Sequence, residues 1–442
     1  MFQTLGNAFK TAEIRKKMLY TAFIILLFRI GAAISVPFTD ATMGIISNTT
    51  SAGNFMNYLN MMTGDAFNYG TLFAMSITPY INASIIIQLL TVALPSLERL
   101  AKEGDVGRKK MQTITRLTAT GIAALQSTAY FFYLRAGGYL TMDAKGMPYT
   151  GASALLQALV IILSLTAGSS LLMWLGEQIN MKGIGNGISI ILFAGIVSRL
   201  PQQLTFLWMS FKRGGLYYAF STIAFIMMLA MVIFIVWLDN SERRIPVVYA
   251  KRVVGRKMYG GQSTNLPIKV NISGVMSIIF ASSILSLPPT IKMFCSAEWL
   301  DKHTGWNTFF DLFNAEKWFY GIIYFLLIIF FGYFYSSIQY NPIEMANNLR
   351  RNNGSVPGIR PGRPTSDYLA RILSRITLLG SLLISVVAIL PIIYSQITKA
   401  CGAQMNIALG GTSVIILVGV ALETVRQLES QLMVRHYKGF LD

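Results

Sequence analysis

Apolar residues gather into ten runs of membrane-crossing length, at 18–36, 74–94, 113–134, 153–175, 185–204, 217–238, 272–291, 318–338, 373–394 and 407–425. About 20 mostly apolar residues carry an α-helix across the hydrocarbon of a bilayer. The pattern predicts an all-α, multi-pass membrane protein. The fifth run is broken by Arg199 and Pro201, so its membrane part is expected to stop near Leu200. No run holds an Asp or Glu near its centre. Between the first two runs, Phe55, Leu59 and Met62 recur at helical spacing in a stretch without basic residues. That element is too short to span. It is either a helix resting on the membrane interface or a re-entrant element folded back into the protein.

The polar gaps differ in kind. Two are long, 239–271 and 339–372, and both are rich in Gly, Pro and basic residues. Of 37 Lys and Arg residues, 27 fall on one side and 9 on the other when the runs are counted as ten crossings, with Arg29 inside a run. Basic loops stay cytoplasmic, so both termini and both long loops are expected there. Arg29 is expected to bond backbone carbonyls or a neighbouring subunit. Lys10, Arg15, Lys16 and Lys17 before the first run imitate a secretory signal, but that run is too long for one and reads as the first membrane helix. Two five-helix halves, 1–204 and 205–442, would meet at the 205–216 connection.

Composition fits a membrane protein: 53% hydrophobic, 13% charged and a mean hydropathy of +0.52. The net charge of +18 lies in loops beside the runs, which favours anionic lipid and acidic or RNA-bearing partners over free nucleic acid. Cys295 and Cys401 are too few for a disulfide framework. Both lie in loops on the outer side, where one bridge or two unpaired residues remain open readings. His303 and His436 fall on opposite sides, so no shared metal is expected. Gly183 to Ser189, GIGNGIS, has the outline of a dinucleotide fingerprint, but its third glycine would fall at Ile188 and the segment enters a membrane run. Its glycines instead suit a tight turn into the fifth run, with Asn186 near the helix start. No phosphate-binding loop, nucleophile or metal cluster stands out, so neither an enzyme nor a cofactor is expected, and any driven transport must draw energy from a partner.

In the second run Asn82, Ser84 and Gln88 accompany Ile81, Ile85, Ile86 and Ile87. Polar groups on such a helix face protein or water, because unpaired they are costly in hydrocarbon. A small-solute transporter is the competing function. It would be expected to carry an ionisable residue or a broken helix near the midplane.

Several runs together resemble the SecY family, the central pore subunit of the bacterial Sec translocon. They are PYINASIIIQLL (79–90), MWLGEQINMKGIGNGIS (173–189), ERRIPVVYAKR (242–252), GGQSTNLPIKVN (260–271), IFASSI (279–284), PGIRPGRPT (357–365) and GGTS (410–413). The resemblance implies ten transmembrane helices in two pseudo-symmetric inverted halves around a central pore. It implies a plug helix within 55–70 that includes Phe55, Leu59 and Met62. It places Ile81, Ile85, Ile188, Leu192, Ile279 and Ile416, or Ile415 in place of the last, in a pore ring. Ser84, Gln126, Ser282 and Ser283 would line a lateral gate between the second and seventh runs, or else belong to ordinary helix packing. Arg256, Lys257 and Arg360 would meet a SecA ATPase or the ribosome, although a solvated, orientation-setting charge is the ordinary reading of each one. Implied partners are SecE-like and SecG-like subunits, signal peptides and nascent chains, in a bacterial plasma membrane. The chain departs from the pattern at Thr63-Gly64-Asp65, where a glycine pair is usual, and at Ser76 and Ser277, which stand where a glycine and a proline are expected.

Overall fold

The computed structural model describes residues 9–39, 63–141, 151–249, 252–254, 257–259, 263–292, 303–313, 317–402 and 410–438. Its helices are α1 (Ala12–Ala33), α2 (Thr78–Ala93), α3 (Pro95–Lys102), α4 (Asp105–Ala136), α5 (Ala152–Lys182), α6 (Gly187–Lys212) and α7 (Leu216–Asn240). After a β-rich excursion come α8 (Met276–Leu285), α9 (Leu287–Lys292), α10 (Thr304–Leu312), α11 (Trp318–Gln339), α12 (Pro342–Arg351), α13 (Arg363–Ala400) and α14 (Gly411–Lys438). Each of the ten apolar runs overlaps helix among the described residues, the seventh being divided between α8 and α9. Among the described residues six helices are long and apolar enough to cross a membrane, and the pair α2–α3, bent by 102°, makes a seventh if taken as one span.

The bend has a local cause. Leu94 precedes Pro95 and adopts an extended conformation (φ −109°, ψ 114°), because the proline ring disfavours the helical one in the residue before it. Proline then starts α3, on which Lys102 Nζ donates to Glu98 Oε1 at 2.6 Å. That hydrogen bond holds the Glu98 carboxyl below its usual range. Pro201, by contrast, does not end α6, which continues to Lys212. The helix itself is thus not interrupted at either residue, and Arg199 is buried with its charge answered by Asp65.

The helices carry their large apolar side chains outward. On α7 Ile226, Leu229, Ile233 and Trp237 are exposed, and on α11 Ile322, Leu326 and Phe330 are exposed. Helix contacts are built on small and hydroxyl residues, as expected where lipid is as apolar as leucine. Gly332 of α11 lies against Ser381 of α13, and Ser336 Oγ is 2.8 Å from Thr377 Oγ1. Ser169 Oγ on α5 donates to the carbonyl of Ser76 at 3.3 Å.

The long loop 239–271 contains strands, which the hydropathy pattern did not reveal. β1 (Glu242–Tyr249) pairs antiparallel with β4 (Ser263–Lys269), in register from Glu242↔Lys269 to Val248↔Ser263. β2 (Arg252–Val254) and β3 (Lys257–Tyr259) form a smaller antiparallel pair between them. From the second long loop, β5 (Gly354–Ser355) joins the other edge of β1, giving the order β4-β1-β5. Ile245 and Val247 are the buried residues of β1, and Ile245 packs with Ile268, Val356, Leu369 and Leu373. α13 begins ten residues before the ninth apolar run, and this polar extension supports the sheet.

Candidate pore and docking surface

The ring candidates come from four helices. Ile81 and Ile85 lie on α2, Ile188 and Leu192 on α6, Ile279 on α8 and Ile416 on α14. The buried core that contains Ile81, Ile85, Leu192, Ile279 and Ile416 is continuous, and Ile188 packs against it. Ile415 belongs to the same core, so burial does not separate it from Ile416. Ile188 is placed by its cap: Asn186 Oδ1 accepts from Ile188 N at 3.2 Å, and Asn180 Oδ1 from Gly187 N at 2.7 Å. The GIGNGIS segment therefore turns α5 into α6 through two asparagine caps. The polar residues of α2 face inward as expected. Asn82 is buried and Ser84 and Gln88 are half-buried, while Ile86 points out.

α2 meets α8 along the seam assigned to a lateral gate. Ser84 and Ser283 are half-buried, and Ser282 Oγ donates to the carbonyl of Ile279 within its own helix at 3.0 Å. Gln126 of α4 lines a small crevice with Thr78, Met75, Ser286 and Thr290. Phe55, Leu59, Met62 and Arg256 lie outside the described residues. Lys257 is described by its backbone alone, in β3.

Arg360 is exposed on a fixed turn. Gly358 has φ +80°, Ile359 N donates to the carbonyl of Val356 at 3.1 Å, and Thr365 Oγ1 to that of Arg360 at 2.8 Å. Because β5 pairs with β1, this turn and the 239–271 hairpin form one surface.

Arg29 finds a backbone carbonyl as expected, whereas two ion pairs, Arg199–Asp65 and Arg426–Asp239, had no sequence signal. Arg199 on α6 meets Asp65 Oδ1 at 2.9 Å, and Arg29 on α1 donates from Nη1 to the Gly64 carbonyl at 3.4 Å. These two arginines, from the first and fifth apolar runs, thus grip a single turn. Gly64 and Asp65 have φ of +64° and +73°, a left-handed pair that glycine adopts freely and Asp tolerates. Where a second glycine is usual, this chain keeps the turn and adds a carboxylate for Arg199. The second missed interaction joins Arg426 to Asp239 at the C-terminal end of α7. Charges that find partners 134 or 187 residues away leave no periodicity to read.

The family model described as SecY matches residues 71–425. The chain belongs to the SecY family. A protein translocase subunit SecY from Mycobacterium bovis is 42% identical over the full length of both chains. A solved SecY structure, whose plug domain is described as stabilizing the closed state of the translocation channel and maintaining a membrane seal, has a TM-score of 0.62 at 17% identity. It covers 94% of this chain and 92% of that one. Sec61 in the canine ribosome-channel complex from the endoplasmic reticulum gives 0.58 at 17% identity, with the same coverage. At these identities the two structures establish the shared fold. Membership and hydropathy together make the chain a multi-pass membrane protein.

Proposed function

We propose that the chain is the pore subunit of a protein-conducting channel. It passes unfolded secretory chains across the bacterial plasma membrane and releases nascent membrane helices sideways into lipid. The observation that carries this reading is the convergence of five aliphatic side chains, from helices in both 1–204 and 205–442, into one buried core, with Ile188 packed against it. A narrow apolar constriction holds back ions by dewetting and offers no fixed charge to grip a passing peptide. An incoming chain replaces ring contacts with its own side chains.

The finer reading has ten spans in two inverted halves, both termini cytoplasmic, and a plug within 55–70. Gate contacts lie at Ser84, Gln126, Ser282 and Ser283. Arg256, Lys257 and Arg360 dock a SecA-type motor or the ribosome; SecE-like and SecG-like subunits complete the complex, and anionic lipids meet the basic loops. Relatives that carry the name translocase subunit support the transport role, and a homologous fold in a ribosome-bound channel supports the docking role. The pairing of Arg29 and Arg199 with the 64–65 turn gives these two charges a structural role. That weakens a small-solute transporter, which needs such charges for coupling.

The test is reconstitution into liposomes with SecE-like and SecA-type partners and an unfolded secretory precursor. Protease protection of the precursor that requires ATP is the expected result. Absence of protection in a correctly assembled complex would remove the channel reading.

A further inference from the structure

The excursion that contains β1 to β4 leaves α7 and returns toward α8 at a single point. Val270 N donates to the carbonyl of Ser241 at 2.9 Å, closing the base of the hairpin. Immediately outside that closure, Asn271 Nδ2 donates to Asp239 Oδ1 at 2.9 Å, so the outgoing and returning strands are also joined through side chains. Arg426 of α14 reaches into this base. Its Nη2 donates to the backbone carbonyl of Asp239 and to Asn240 Oδ1, both at 2.8 Å, and its Nη1 lies 3.9 Å from Asp239 Oδ2.

Two features make this more than helix packing. First, Arg426 addresses a carbonyl, an amide oxygen and a carboxylate at once, which uses the planar fork of a guanidinium and is beyond an ammonium. Second, α14 runs without interruption from Gly411 to Lys438, so Arg426 and Ile416 ride on the same rod. Ten residues of helix separate them by about 15 Å. At its far edge the hairpin is tied through β1–β5 to the turn that presents Arg360.

We infer that Arg426 and Asp239 are positioning residues that lock the cytoplasmic hairpin onto the pore-ring helix α14 as one rigid body. Force applied to the hairpin by a docked motor is carried along α14 to the ring at Ile416. The inference rests on the channel reading above, but its structural half stands apart from it: the clamp fixes the hairpin whether or not a motor binds.

The experiment uses the complete complex in liposomes. Cys295 and Cys401 are replaced by serine, and nitroxide labels are placed on Asn265→Cys in β4 and Gln427→Cys on α14, both exposed positions. With Arg426 present the interspin distances are expected to be narrowly distributed. Arg426→Gln is expected to widen the distribution at least twofold, and Arg426→Lys to give an intermediate width. With a SecA-type motor, Arg426→Gln should leave motor affinity within about twofold and lower precursor moved per ATP at least threefold. Asp239→Asn keeps an acceptor for Asn271 and serves if Arg426→Gln fails to assemble; it should shift both readouts in the same direction, less strongly. An unchanged distribution would overturn the clamp. Loss of affinity in parallel with loss of transport would overturn the force path and leave a docking role only. Failure of the unsubstituted complex to move precursor would instead count against the channel reading, while the interspin widths still decide the clamp.

Discussion

Ser76 shows how much one residue departs from the pattern around it. It holds φ +50°, is almost fully buried, and its hydroxyl has no partner among the described residues. A left-handed non-glycine residue costs about 1–2 kcal/mol, offset in part by the backbone entropy a glycine would lose. Ser76→Gly is therefore expected to stabilise the complex by about 1 kcal/mol, read as a raised Tm; an unchanged or lower Tm would show the strain is absent. The ring residues make the opposite case, since they are apolar where function demands it. Ile81→Asn or Ile188→Asn should wet the constriction and raise resting ion conductance in a planar bilayer. Unchanged conductance in both would remove them from the ring. At this scale the sequence conveyed residue type and little else. It anticipated that Arg29 would seek a backbone carbonyl, and it marked Asp65 as standing where a glycine is usual, but nothing linked Asp65 to Arg199.

Among the elements, the α5–α6 turn is the most legible in the sequence and α6 itself the least. Asn186 at the helix start was readable from cap chemistry, and it is the N-cap of α6. The close approach behind it was not readable. A Cβ on Gly187 would collide with the Gly176 carbonyl of α5. Asn186→Ala should cost about 1 kcal/mol, whereas Gly187→Ala forces the two helices apart and should cost about 2–3 kcal/mol. Thermal denaturation of the two variants side by side checks the order. The continuation of α6 past Pro201 and the strands between α7 and α8 both escaped hydropathy. A proline inside a helix is tolerated when its neighbours are held by tertiary contacts, as Arg199 is by Asp65. The β1 strand alternates over only a few residues, and its inward face is recognised by what it packs against.

Over the whole molecule, the two long loops become one surface because β5 completes the β4-β1-β5 sheet. That surface presents Arg360 on a turn whose backbone is already fixed, so the side chain is free to meet a partner at little ordering cost. Arg360→Glu is expected to abolish motor-driven export while leaving assembly of the complex intact, measured as precursor protection and co-purification of the partner subunits. Normal export would end its docking role. The sequence by itself determined that this is a multi-pass helical membrane protein. It also pointed to its family, which the family model bears out, and it is the source of the proposed sidedness and of the aliphatic residues proposed as a pore ring. These follow from composition and from local order along the chain, since the bilayer imposes a length, a hydropathy and a charge rule on every crossing. Tertiary structure alone decided that those aliphatic residues pack together at one core, that Arg199 and Arg29 hold the 64–65 turn, and that Arg426 clamps a hairpin beginning 187 residues earlier. Contacts between distant residues depend on how helices pack, and packing is a property of many side chains at once that no single stretch of sequence contains.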